Sequence, residues 1–434
     1  MGNQLLVRMY NIGLGDCIYV RVPDQDEDKH ILIDCGNKFS SINILGQAIA
    51  DLEKELPKVN TAEGEKRRLD LLVVTHPHED HHKGFEPRFF ENIKVENLWL
   101  SPGFIQENPK AKNLNALTEA AGRALTSLKE VAPAGPMSDL FEDLLSLSKK
   151  AADEELNINL PRRNKISPRY ASADFTDDFT QGDIDKIFKD KKIKLKVLGP
   201  MSDIDKYYLR ESGQASHLAL GEGGPPALFP DESMLAELKP PANISSQDFD
   251  RLRKGIQGNA LALVERAGHA MNNLSVVLLI EWKGNRLLFP GDAEWDGANI
   301  ELKEGGNNGS WNVMWETQRA ELSKRVDFLK VGHHGSENAT PWAPQKNSKD
   351  HPISQVLDKL LPLPKGKRKP TARALVSTER SSRWPSIPDP LLMAELGKRV
   401  ANAEKYEGDK KITADTPQPQ RTDLEDKKAS IKYL

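Results

Sequence analysis

Cysteine is scarce in this sequence, which has two, Cys17 and Cys35, in 434 residues. So few cysteines exclude a fold that depends on a network of disulfides. Both lie in short apolar segments typical of strands, which predicts buried thiols. This usage is typical of a reducing cytoplasm, with a Cys17–Cys35 bridge as the open alternative.

Long apolar runs are missing as well. The longest, residues 274–280, is far short of the ~20 residues that a helix needs to cross a bilayer. Residues 1–4 lack the charged and apolar regions of a secretory signal. We therefore expect a cytoplasmic protein that makes no contact with a membrane.

The sequence has no excess of basic charge. Lys and Arg number 61 against 64 Asp and Glu, and the formal net charge is −3 at pH 7. This balance argues against a protein that coats nucleic acid, whereas an enzyme acting on nucleic acid needs only a local basic track. Hydrophobic residues make up 38% of the chain, which is enough for a sizeable core.

The most informative stretch is the pattern His76-x-His78-x-Asp80-His81, which follows an apolar, strand-like run at residues 69–74. It places metal-ligating side chains close together on what we expect to be a loop. Imidazole nitrogens and a carboxylate oxygen suit zinc or a similar divalent ion. His76 and His78 would hold one ion, and Asp80 and His81 would turn toward a second. A polar loop without metal is the structural alternative.

This pattern resembles the metal-binding signature of the metallo-β-lactamase superfamily. Other segments resemble further motifs of that superfamily: residues 31–36 with Asp34, residues 287–292 with Asp292, and residues 327–336 with His333 and His334. A narrower resemblance, to the soluble hydrolase domain of ComEC-type competence proteins, rests on residues 13–16, 272–278, 291–294 and 333–336. The resemblance implies an α/β fold, a four-layer αβ/βα sandwich that residues 1–434 form as one domain.

Two segments are longer than the resemblance implies. Residues 102–190 have apolar residues at helical spacing over 113–131 and 137–152, which predicts a helical insertion. Residues 201–270 are rich in Gly and Pro and predict an irregular, lid-like insertion. Both are candidate surfaces for protein partners, with passive elaboration as the alternative. Elsewhere the patterns predict a strand over 95–100, a helix over 314–324 and a closing edge strand over 430–434.

The resemblance also implies metal ligands for two ions. They are His76 and His78 for the first ion, Asp80, His81 and His333 for the second, and Asp292 as the bridge. We favour His333 over its neighbour because it follows Gly332 at a strand end, and this leaves His334 for a catalytic or substrate role. Asp80 is also expected to act catalytically. For His333 and His334, a buried pair held by backbone groups is the structural alternative.

The first ion lacks the third histidine that many relatives supply. Asn273 or water is expected to stand in, with His269 as the alternative. An amide oxygen is a weaker ligand than imidazole, so we expect Zn²⁺ first, with Mn²⁺ or Mg²⁺ as alternatives. Asp16 and Asp34 would support the ligands from behind, and Ser336 would contact a phosphate. Turn capping is the alternative for Asp16 and Ser336.

The expected chemistry follows from the metals. Two divalent ions lower the pKa of a bridging water and supply hydroxide near neutral pH, so no serine or cysteine nucleophile is needed. The missing third histidine and Ser336 favour a phosphodiesterase or nuclease acting on DNA, RNA or a nucleotide. The alternatives are hydrolysis of a small ester, thioester or lactam, and a role as effector subunit of a multiprotein system.

Overall fold

The structure, a computed structural model, describes residues 4–38, 40–105, 108–131, 166–209, 264, 266–296, 308–342, 356–378, 386–404, 418–421 and 428–433. The helix expected over 137–152 and most of the lid-like segment 201–270 lie outside these residues. Within them, no helix is both long and apolar enough to cross a membrane.

The described strands form two seven-stranded sheets and a small three-stranded one. They are β1 (Leu5–Tyr10), β2 (Cys17–Asp24), β3 (Glu27–Cys35), β4 (Lys58–Thr61), β5 (Gly64–Leu69), β6 (Leu71–Val74), β7 (Ile93–Val95), β8 (Leu98–Leu100), β9 (Arg169–Tyr170), β10 (Lys194–Gly199), β11 (Val277–Trp282), β12 (Asn285–Phe289), β13 (Phe328–Lys330), β14 (Arg373–Val376), β15 (Ala403–Glu404), β16 (Gln418–Arg421) and β17 (Lys428–Tyr433). The first sheet has the order β17-β1-β2-β3-β6-β8-β9, and the second has the order β10-β11-β12-β13-β14-β16-β15. Both mix antiparallel and parallel pairs, so the protein is a mixed α/β protein.

The described α-helices connect and cover these strands. They are α1 (Ile42–Glu55), α2 (Glu79–His82), α3 (Lys112–Val131), α4 (Gln181–Asp185), α5 (Ile204–Tyr208), α6 (Ser310–Thr317), α7 (Arg319–Leu322), α8 (Val356–Leu360) and α9 (Pro390–Gly397). The helix expected over 314–324 is therefore wrong as a single element, because the chain breaks at Gln318, whose φ of −126° and ψ of 25° are not helical.

The two large sheets share one hydrophobic core. In β11, Leu278 and Ile280 point into this core together with Val7 and Val20 of the first sheet. Successive strand residues face opposite sides of a sheet, so Leu279 of β11 packs instead against helices α6 to α9. Helix α1 covers the outer face of the first sheet in the same way. Burial on both faces explains why residues 277–280 of β11 are all apolar.

Two strand predictions have contrasting outcomes. The closing edge strand is confirmed, because β17 pairs antiparallel with β1, with Tyr433 opposite Leu5. The single strand expected over 95–100 is wrong. Its residues belong to β7, which pairs with β5, and to β8, which pairs with β6 in a different sheet. The predicted helical segment 102–190 also supplies β9, the last strand of the first sheet.

The parallel strands place the chemistry-bearing residues together. β3 and β6 run parallel in the first sheet, and β12, β13 and β14 run parallel in the second. Ligand sites in α/β sheets lie at the carboxyl ends of such strands. Asp34 lies near the end of β3, Asp292 follows β12 and Ser377 follows β14. The thiols of Cys17 and Cys35, opposite each other in β2 and β3, are buried and free, as the buried-thiol prediction stated.

Candidate metal centre

The histidine-rich stretch begins at the end of β6 and turns into a helix. The expected loop is wrong for residues 79–82, which form α2, with His78 at its N-cap position. Glu79 and Asp80 occupy the first turn, where negative charge is favoured by the helix dipole. His76 and His78 remain in the extended segment before the helix, with 3.0 Å between His76 Nε2 and His78 Nδ1.

Asp292 lies at the middle of a cluster of imidazoles. Its Oδ2 atom is 3.1 Å from Nε2 of His81, 3.7 Å from Nε2 of His334 and 4.0 Å from Nε2 of His76. Asp80 joins the cluster through a 3.3 Å contact between its Oδ2 and Nε2 of His334. Two overlapping groups result, one of His76, His81 and Asp292 and one of Asp80, His81 and His334, each with ligand atoms within 4.8 Å of one another.

The donor set of this cluster fits a metal ion. His78 Nε2 and Asp80 Oδ1 are buried and have no hydrogen-bond partner among the described residues. A buried polar atom without a partner costs about 1–3 kcal/mol, and coordination to a divalent cation is one way to satisfy such an atom. Nitrogen and carboxylate oxygen donors are those that zinc and related ions prefer. The described structure therefore contains a buried group of residues that could bind a metal.

Protonation differs within the cluster, because burial lowers the pKa of His81 but Asp292 and Asp34 outweigh this and raise it well above its usual value. Burial lowers the pKa of His76 well below its usual value and that of His78 to about 3. Both imidazoles are therefore neutral near pH 7 and can offer a lone pair. Burial raises the pKa of the Asp80 carboxyl, but the charges of Lys38 and His334 outweigh this and hold it well below its usual range.

Asp34 orients His81. Its Oδ2 lies 2.7 Å from His81 Nδ1, and its Oδ1 accepts the backbone N–H of Thr75 at 2.7 Å. A carboxylate on one ring nitrogen leaves the other nitrogen to face a metal. Asp34 adopts a φ of 58°, a left-handed conformation that Asp tolerates better than most residues. The sequence led us to expect that Asp34 would support a ligand but did not indicate which one, and in the structure its partner is His81.

Asp16 supports the centre through a buried lysine that the sequence analysis did not single out. Lys330 is fully buried and contacts Asp16, Gly291 O at 3.2 Å and Asp292 Oδ1 at 3.6 Å. Ser377 donates its hydroxyl to Asp16. The signal in the sequence was a lysine inside an otherwise apolar strand, where a charge is retained only with a partner.

The structure places His334, and not the favoured His333, beside Asp80 and Asp292. His333 instead directs Nδ1 toward Glu294 Oε1 at 3.1 Å, and its side chain is 22% exposed. Both histidines have positive φ, 41° and 52°, in the tight turn His333–Gly335. This turn rather than the strand end sets their directions, so the geometry does not support the preference for His333.

Asn273 and His269 are also placed away from the ligand groups. The Asn273 Oδ1 atom accepts the backbone N–H groups of Ser310 at 2.6 Å and Glu294 at 3.2 Å. Both of its lone pairs are therefore in use, and the geometry does not support Asn273 as a substitute ligand. His269 Nδ1 lies 2.5 Å from Glu294 Oε2 and outside the groups described above.

Glu294 is a second residue that the sequence analysis quoted without assigning a role. It is buried between His269 and His333, and Asn272 donates to its Oε1 at 2.7 Å. Burial raises the pKa of this carboxyl, but the two histidines lower it more, to about 2. The Ser336 hydroxyl lies 2.9 Å from His333 Nδ1 and donates to Asn338 Oδ1 at 2.7 Å, so both of these contacts are to neighbouring side chains.

Comparison with known proteins adds no family to this description. No model of a protein family matches the chain, and no curated protein is significantly similar to it.

Proposed function

We propose that this chain is a metal-dependent hydrolase of the metallo-β-lactamase superfamily, and that its substrate is a phosphodiester. The observation that carries the proposal is that His76 and His81, from one stretch of the chain, and His334, from another, converge on Asp292. Two face-to-face sheets with helices outside are consistent with the four-layer αβ/βα arrangement of that superfamily. Zn²⁺ is the proposed metal, with Mn²⁺ or Mg²⁺ as alternatives.

The residues that would hold the metals are those of the two overlapping groups, with His78 adjacent: His76, His78, Asp80, His81, Asp292 and His334. Bound divalent ions would activate water for attack and neutralise charge on a substrate oxygen. The surrounding residues keep the ligands in place. Asp34 orients His81, and Lys330 contacts the Asp292 oxygen that faces away from the imidazoles. Burial of all these side chains keeps bulk water from the ligand atoms.

The test of this proposal is cleavage of single- and double-stranded DNA with added Mn²⁺ or Zn²⁺. The native chain should cut, and Asp80→Ala should reduce cutting by about 100-fold or more, because a ligand next to the reacting centre is lost. Asp177→Ala, an exposed carboxylate on a distant loop, is the matched control and should cut like the native chain.

A generic phosphodiester, a thioester and a lactam should be assayed in parallel. Hydrolysis of the thioester or lactam, with no action on any phosphodiester, would show that the proposed substrate class is wrong. The proposal of a metal-dependent hydrolase would not be affected. Equal DNA cutting by Asp80→Ala and the native chain would remove the cluster from the mechanism.

A further inference from the structure

Lys38 differs from the other buried cations. Buried lysine and arginine side chains in the described part of the chain are Arg8, Lys29, Lys38, Lys330 and Arg399. Four of them form an ion pair with a carboxylate, and Lys38 does not. Lys38 is 6% exposed, so water covers little of it. A buried charge without a paired counter-charge is costly and is seldom retained without a role.

The backbone around Lys38 is fixed by hydrogen bonds. Its own N–H donates to Leu14 O at 2.7 Å, and its carbonyl accepts the N–H of Ser40 at 2.7 Å. The preceding residue, Asn37, donates its side-chain amide to Ile12 O at 3.1 Å. Lys38 follows β3, the strand that delivers Asp34, so it belongs to the same end of the sheet as the metal centre.

The segment that carries Lys38 lies against the metal centre. A Cβ on Gly15 would meet both Asn37 Cα at 2.7 Å and Asp80 O at 2.9 Å, so the residue before Lys38 and the backbone of Asp80 are close neighbours. The positive charge of Lys38 also lowers the pKa of Asp80 against the effect of burial. Yet its ammonium forms no ion pair with Asp80 or with any other described carboxylate. A cation beside the ligands, but not paired with them, leaves a place for a negatively charged group from outside the chain.

We propose that Lys38 is a substrate-contacting residue that binds an anionic oxygen of a phosphate ester next to the metal centre. This inference rests on the proposed function and narrows it, because a neutral ester or lactone would offer the ammonium no charge. Lysine serves as a point-charge partner for phosphate in many sites. Binding of phosphate also explains why a cation is kept here without a carboxylate partner among the described residues.

Three variants of the full chain test the role. Lys38→Met removes the charge at similar length, Lys38→Arg keeps it, and Lys359→Met makes the same change of net charge at an exposed position of α8. Binding of inorganic phosphate to the Mn²⁺-loaded proteins is measured by calorimetry. Lys38→Met should weaken it by about tenfold or more, the loss typical of a charged hydrogen bond. Lys38→Arg and Lys359→Met should bind close to the native level.

Two further readouts separate binding from structural support. The melting temperature of Lys38→Met should equal or exceed that of the native chain, because the ammonium it removes has no carboxylate partner. Its manganese content should be unchanged. With bis(p-nitrophenyl) phosphate as substrate, the KM of Lys38→Met should rise by about the same factor as its Kd for phosphate. Its kcat should fall by a smaller factor.

Several results would overturn the inference. These are a native chain that binds no phosphate, equal phosphate affinity in Lys38→Met and the native chain, and loss of manganese from Lys38→Met. A native chain that hydrolyses thioesters but no phosphodiester would refute the proposed function alone. If Lys38→Met still weakened phosphate binding in that case, the anion-binding role of Lys38 would stand.

Discussion

The two carboxylate oxygens of Asp292 make different contacts. Its Oδ2 faces the imidazoles of His76, His81 and His334, and its Oδ1 faces Lys330 and the backbone N–H of His333 at 3.2 Å. The second set of contacts offsets part of the cost of burying the charge. It also fixes the direction of the first oxygen, which is the one available to a metal.

At the residue scale, substitutions of His333 and His334 should differ in their effect on zinc binding. His334→Ala should weaken zinc binding by at least the ~10–100-fold that follows loss of a supporting residue around a metal. His333→Ala should leave the zinc content unchanged, because His333 faces Glu294. The measurement is zinc stoichiometry by mass spectrometry together with competition against a coloured chelator. Loss of zinc from His333→Ala alone would restore the original preference for His333.

The buried His30 should make stability depend on pH. Burial lowers its pKa to about 4, and Tyr19 contacts its Nδ1 at 2.7 Å. Because the folded pKa lies below the unfolded value of about 6.5, the neutral form stabilises the fold above pH ~6.5. This contribution, about 3 kcal/mol, is lost as the pH falls toward 4.

The check is the free energy of unfolding by urea between pH 7 and pH 4, compared with His30→Gln. The variant should lose less stability over this range than the native chain. Parallel curves for the two proteins would show that His30 is not the group responsible.

At the scale of elements, the end of β3 and the start of α2 are in direct backbone contact. Asp16 N–H donates to Asp80 O at 3.0 Å, and Gly36 N–H donates to Asp16 O at 3.0 Å. A Cβ on Gly36 would overlap the backbone of Glu79 and His81. The glycine is therefore required for the close approach that brings helix α2 against the first sheet.

Gly36→Ala should destabilise the fold by about 1–3 kcal/mol, because backbone atoms cannot move aside as a flexible side chain can. It should also lower zinc affinity, since α2 carries Asp80 and His81. Thermal unfolding and zinc titration measure the two effects. Gly122→Ala in α3, where a Cβ meets nothing within 4 Å, is the control and should stabilise by about 0.5–1 kcal/mol.

Local patterns predicted some elements and missed others for identifiable reasons. The helix expected over 113–131 and the closing strand expected over 430–434 correspond to α3 and β17, because apolar spacing is a local signal. The assignment of β7 and β8 to different sheets could not be predicted from local signals, because strand pairing depends on residues that are distant in the sequence. Helix α2 was missed because a helix of four residues has too little periodicity to detect.

At the scale of the whole molecule, the centre exists only because two sheets share a core. The first sheet supplies His76, Asp80 and His81, and the second supplies Asp292 and His334. Apolar packing between the sheets therefore sets the distances between the ligands. Metal binding should in turn stabilise the packed state, since the unfolded chain holds no such arrangement.

Zinc should raise the melting temperature, and chelation should lower it. At free zinc about 100 times Kd, the expected stabilisation is about 2.7 kcal/mol for one site. The measurement is thermal unfolding with zinc, with a chelator, and with zinc added back, on the native chain and Asp292→Asn. An equal shift in both proteins would place the metal elsewhere.

Residue type and spacing were enough to identify the histidine-rich stretch and the apolar strands, because both are local properties of the sequence. The remaining features depend on the tertiary structure. It selected His334 over His333 through the dihedral angles of a tight turn, and it left Asn273 occupied by two backbone N–H groups. It also paired Lys330 with Asp16 while leaving Lys38 without a carboxylate among the described residues. These outcomes depend on which distant residues meet, and spacing along the chain does not specify that.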